Sequence, residues 1–204
     1  MHPNPAFRTA AAEANLAFAR NRGFGILTVN GPDGPIAAHV PFLISADGAT
    51  IGLHLARSNA IARSPLPAKA LIAVSGPDAY ISPDWYGVPD QVPTWNYVAV
   101  HLRGTLRELP AETLRDHADA LSARFEADLL PKKPWVSGKM TKGVMERMMR
   151  MIIPFRFDID VVDGTWKLNQ NKGANVRLAA AAMLAERPSQ GTAQVLAGLM
   201  KAAQ

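Results

Sequence analysis

From Phe24 to Ala56 the apolar residues alternate with small or polar ones in three short runs, FGILTVN, PIAAHVPFLIS and TIGLHLA, separated by GPDG and ADG. A period of two puts one set of side chains on each face of an extended strand, and Asp-Gly between such runs signals a hairpin. The pattern therefore predicts an antiparallel meander. Ahead of it, residues 9–22 predict a helix: Thr9 caps it, Glu13 lies in its early turns, Leu16 and Phe18 supply apolar contacts, and Gly23 stops it. SNAIARSPLP, opened by Ser58 and closed by prolines, predicts one or two helical turns before a strand, ALIAVSGP.

The Pro-, Gly- and Asp-rich segment at residues 79–95 predicts a long ordered loop leading into a strand, TWNYVAVHLRG. Residues 110–131 carry Pro110 in a first turn, Glu112 near the N-terminus, and Leu114, Leu121, Phe125 and Leu129 at helical spacing. VMERMMRMI predicts a shorter helix. FRFDIDVVDGTWKLNQN alternates and breaks at Asp163-Gly164, predicting a last hairpin, and two Ala-rich helices follow, separated near Pro188 and Gly191. At least six strands joined by hairpins, without alternating helices, argue for a small closed antiparallel barrel.

Composition narrows the function classes. With 204 residues, 48% of them hydrophobic, the chain buries a full core as one domain with a small helical appendage. No apolar run approaches the roughly 20 residues a membrane span needs, and the N-terminal MHPNPAFR is polar and proline-broken, so the expected location is the cytoplasm. The chain has no cysteine, which excludes disulfides, thiolate nucleophiles and Cys-ligated metals and leaves any redox chemistry to a bound cofactor. The net charge of +5 suits an anionic ligand, but the basic residues form no run of five, so nucleic acid is permitted without being indicated.

GxGxxG, GxxxxGK[ST], GxSxG and HExxH are all absent. What remains is four polar sets at strand positions. His39 sits in HVPF as either a core or interface residue or a ligand contact. HLARSN brings His54, Arg57, Ser58 and Asn59 to a strand–helix boundary, where helix amides and a guanidinium suit phosphate; a simple N-cap is the alternative. In TWNYVAVH, Trp95 and Tyr97 share one strand face and Asn96 takes the other, a pattern open to packing or to recognition of a ligand or subunit. WKLNQNK concentrates donors just past a strand, either as a solvated end or as part of a site.

HVPFLI, HLARSNA, GPDAYISPDWY, VPTWNYVAVHLRG and WKLNQNK, in that order, resemble the PaiB-type FMN-binding proteins, a family named as negative transcriptional regulators. The resemblance implies a mainly β, antiparallel split β-barrel with peripheral helices, similar to pyridoxamine-phosphate oxidases. It implies a domain over residues 1–172; residues 173–204 lie outside the resemblance and are expected as a C-terminal helical extension packed on that domain. It further implies a homodimer with FMN at the subunit interface. Arg57, Ser58 and Asn59 would lie at the phosphate, with His39 and Pro41 along the flavin and His54 also at the cofactor. The opposing subunit would supply Thr94, Trp95, Asn96 and His101, with Lys167, Gln170 and Lys172 completing the pocket. The implied role is transcriptional regulator, with a flavin-dependent oxidoreductase as the alternative. No helix-turn-helix is visible, and the basic stretch GKMTKGVMERMMRM is Met-rich, suited to packing on the barrel or a partner. A haem-degrading split barrel is disfavoured because the tail LAGLMKAAQ has no histidine to ligate iron.

Overall fold

The strand alternation read from residues 24–56 is met strand for strand in the computed structural model, which describes residues 1–187 and 191–203. Helix α1 (Ala12–Arg22) precedes β1 (Phe24–Gly31), β2 (Gly34–Ile44) and β3 (Thr50–Ala56). Gly23 ends α1 with φ of 55° and donates its N–H to Ala19 O, a left-handed stop that a side chain would strain. Then come β4 (Ala68–Ile81), β5 (Thr94–Glu108), α2 (Leu114–Ala127), α3 (Val144–Met149), β6 (Ile152–Lys167), α4 (Ala174–Ala185) and α5 (Gly191–Ala202). The six strands close into an antiparallel barrel in the order β1-β2-β3-β6-β5-β4. Among the described residues no helix is long and apolar enough to cross a membrane.

The chain divides into two compact units. The barrel unit comprises residues 19–74 and 102–162; the terminal unit comprises 1–18, 75–101 and 163–204 and holds both chain ends.

In the barrel unit, register follows burial. Phe42 pairs with Leu53 and Ile44 with Ile51 across β2 and β3, and Leu53 pairs with Phe155 across β3 and β6. All five are buried, and a slip of one residue would turn them to water, at about 1.5–3 kcal/mol for each large side chain. Ile26 opposite Ala73 closes β1 against β4. Gly104 marks a close backbone approach: a β-carbon there would lie 1.9 Å from Asp158 O. The helix expected over 110–131 is shorter, a 3-10 turn at Ala111–Thr113 followed by α2; Leu129 is 53% exposed, and Pro131 disfavours helix in the residue before it.

In the terminal unit, α4 and α5 bury Ala180, Ala181, Leu184, Leu196, Ala197 and Met200 in one cluster with Ile81, Tyr86, Val98 and Leu168. Buried Arg177 donates to Met200 O at 3.0 Å, satisfying a carbonyl in the last turn of α5. Pro188, read as a breaker between these helices, lies outside the described residues.

Two expectations are corrected. Asp163-Gly164 is no turn: β6 runs unbroken from Ile152 to Lys167. Gly164 is required by close packing, since a β-carbon there would stand 2.0 Å from Asn15 Oδ1, and Asp163 pairs with Arg8 at 2.8 Å. The loop expected from residue 79 begins later, because β4 continues through Gly76 and Pro77 to Ile81. Gly76 lies against Phe18 and Val98, another close approach that sequence alone reads as a break.

Candidate functional site

On the barrel unit, the HLARSN residues are sorted by their hydrogen bonds. The Arg57 N–H donates to Met151 O at 2.8 Å, fixing the chain at the end of β3, and the Asn59 N–H donates to Ala56 O. Asn59 Oδ1 accepts from the Ile61 N–H at 2.9 Å, and Ile61 is fully buried. The segment then forms a single 3-10 turn, Ile61–Arg63, which is too short to carry a substantial helix dipole. Asn59 thus shapes the turn while Arg57 and Ser58 project to solvent. Arg57 Nε donates to Arg150 O at 3.2 Å, which joins two guanidinium-bearing residues at one place.

His54 separates from this group. Its Nδ1 lies 3.1 Å from Nε2 of His117 on α2, with the rings edge to face. Gly52 makes room for the pair, as a β-carbon there would sit 3.2 Å from His117 Nδ1. Burial lowers the His54 pKa; burial, with His54 adding, pushes His117 down to about 4. On β2, His39 is exposed and stacked on Phe24 at 6.3 Å, and Pro41 is half-buried two residues along the same face.

On the terminal unit, the alternation of TWNYVAVH holds. Trp95 is 55% exposed and meets Tyr80 edge to face at 6.3 Å, leaving an aromatic surface in water. His101 is half-buried on the Trp95 face of β5. Asn96 takes the opposite face and is fully buried, donating Nδ2 to Met200 Sδ at 3.4 Å; its Oδ1 has no partner among the described residues. Asn96 is therefore core, apart from Trp95.

WKLNQNK divides in the same way. Gln170 folds on itself, its Nε2 donating to Trp166 O and its Oε1 accepting from the Leu168 N–H, so its amide stabilises the turn. Asn169 takes φ of 64°, is buried, and donates to the Tyr86 hydroxyl at 3.4 Å. Lys167 donates to Thr94 Oγ1 and to Trp95 O, and Lys172 donates to Gln91 Oε1. Three expected residues, Thr94, Lys167 and Lys172, come together in a cleft of about 230 Å³ with His2, Asn4 and Tyr86. Sequence reasoning missed those last three. The available signal was Asn4-Pro5, a cap before a short turn, and Asn4 Oδ1 does accept from the Ala6 N–H. Two larger clefts, of about 470 and 390 Å³, contain none of the residues expected at a cofactor.

Exposed guanidinium and hydroxyl groups at Arg57 and Ser58 suit a phosphate dianion, and the uncovered Trp95–Tyr80 surface suits a flat ring.

Known proteins resemble this chain in sequence and in fold. Residues 1–161 match the family described as "Putative FMN-binding domain". A relative, "Protease synthase and sporulation protein PAI 2" of Bacillus subtilis, is 29% identical over 169 residues, covering 81% of this chain and 80% of that protein. Among solved structures, the FAD and heme binding protein of Mycobacterium smegmatis aligns with a TM-score of 0.58 at 15% identity, over 85% of this chain and 80% of that one. The flavocytochrome Anf3 of Azotobacter vinelandii aligns at 0.56 and 13% identity, over 81% and 72%. The fold is the flavin-binding split barrel, mostly β with peripheral helices. With residues 1–161 of its 204 matched, the chain belongs to the FMN-binding domain family.

Proposed function

We propose that the chain binds FMN as a homodimer and acts as a flavin-dependent redox protein. The observation that carries this reading is the family match over residues 1–161 together with the exposed Arg57–Ser58 turn, a donor set suited to the phosphate that distinguishes FMN from riboflavin. Arg57 and Ser58 hold the phosphate, Asn59 keeps their turn in shape, and His39 and Pro41 border the flavin. The partner's Trp95 covers the ring and excludes water, with the partner's His101 on the same strand face. His54, tied to His117, braces the barrel surface. Asn96 and Gln170 support their own segments. Bound there, the isoalloxazine would supply the reversible electron and hydride transfer for which a cysteine-free chain has no side chain. The exposed Trp95–Tyr80 surface and the exposed Arg57–Ser58 turn support a homodimer in which the aromatic face of one copy covers the flavin held by the other.

Transcriptional regulation is the second reading, favoured by the family resemblance. The helix pair α4 and α5 supports it poorly, because its apolar faces lie in the terminal-unit core and α5 carries Lys201 as the basic residue of its last turn. The two readings part in one assay. Oxidation of a reduced nicotinamide that depends on added FMN supports redox chemistry, whereas salt-sensitive, sequence-selective DNA retardation without such turnover supports regulation.

A further inference from the structure

Lys167 and Lys172 face one small cleft without a countercharge. The Lys167 ammonium is held by a hydroxyl and a backbone carbonyl, Thr94 Oγ1 and Trp95 O, and Lys172 by the Gln91 side-chain amide, all neutral acceptors. Among the described residues neither lysine has a carboxylate partner, and no acidic side chain lines the cleft. Some other basic side chains do have carboxylate partners: Arg8 with Asp163, Arg107 with Asp158, Arg115 with Asp119. Burial, and then the neighbouring Lys172 charge, lowers the Lys167 pKa, so the two ammonium groups strain each other as they stand.

The cleft walls point to what relieves this. Tyr86 lies beneath the Lys172 ammonium at 4.4 Å, and Phe7 lies 6.0 Å from Lys167 Nζ, so two aromatic residues accompany the two charges. His2 and Asn4 add polar edges. The volume of about 230 Å³ falls below the roughly 300–1,000 Å³ of sites for drug-sized ligands and suits a smaller molecule.

We infer that this cleft is a second binding site, separate from the flavin surface, for a small organic anion: a carboxylate with a short apolar or aromatic body, held between Lys167 and Lys172. It stands on the cleft alone and does not depend on the flavin reading.

The test titrates the flavin-free full chain by calorimetry with benzoate, with its neutral isostere benzamide, and with inorganic phosphate. The inference expects saturable benzoate binding in about the millimolar range or tighter, with benzamide and phosphate each at least about tenfold weaker. Lys172→Gln is expected to weaken benzoate at least about tenfold and Arg57→Ala to leave it unchanged. Benzamide or phosphate binding as well as benzoate, absence of saturation, or loss through Arg57→Ala would each overturn it. If Lys172→Gln fails to fold, the benzoate–benzamide contrast in the native chain decides. FMN titrated in parallel tests the other reading separately, because either ligand can bind when the other does not.

Discussion

The Trp166 indole donates to Asn15 Oδ1 at 2.8 Å, joining β6 to α1 across 151 residues of sequence. The same amide occupies the space a β-carbon on Gly164 would need. Gly164→Ala is therefore expected to destabilise the fold by about 1–3 kcal/mol through overpacking. Asn15→Ala should cost a similar ~1–3 kcal/mol by leaving the indole N–H without its acceptor. Removing Asn15 also clears the clash, so the double variant should lose less than the two single losses added, as read by denaturant unfolding.

His54 and His117 make stability depend on pH. Both are pushed below their ordinary value near 6.5, His117 to about 4, so in the window between them the unfolded chain binds protons that the folded chain does not. Stability from the pair is present above pH 6.5 and is lost as pH falls toward 4. His117→Asn should flatten that part of the profile, measured as the urea midpoint at a series of pH values.

Arg57→Ala should weaken FMN by about 10- to 100-fold, the loss of charge-assisted hydrogen bonds worth ~1.5–3 kcal/mol, and leave riboflavin affinity nearly unchanged. Flavin fluorescence quenching reads both. Equal losses for the two ligands would remove the phosphate role.

Trp95 is exposed, so Trp95→Ala should change stability by no more than about 0.5 kcal/mol. Against a covered ring it should cost FMN binding about 0.5–1.5 kcal/mol, seen in the same quenching titration. A loss of stability with unchanged affinity would make Trp95 a packing residue.

How far the sequence was legible depended on whether the signal was local. The β1–β3 meander was readable because alternation and turn residues act within a few positions, whereas the neighbours β3 and β6, and β1 and β4, are paired across long stretches of chain that no local pattern announces. Gly164 and Gly76 were misleading because their reason lies far along the chain, in Asn15 for one and in Phe18 and Val98 for the other. Asn96 was placed on the correct strand face, yet its opposing contact, Met200, comes from a helix more than 100 residues away. At the site, WKLNQNK announced donors without announcing which were spent: Gln170 closes its own turn, while Lys167 and Lys172 keep neutral partners. Asn4-Pro5 announced a local cap, but that His2, Asn4 and Tyr86 would meet those lysines is decided by tertiary packing.

Sedimentation of the chain with FMN, followed at the flavin's visible absorbance, tests the central claim most directly. The account predicts that flavin sediments with a particle of twice the 21.9 kDa chain mass. Flavin that stays unsedimented, or that travels with a single chain, would contradict it.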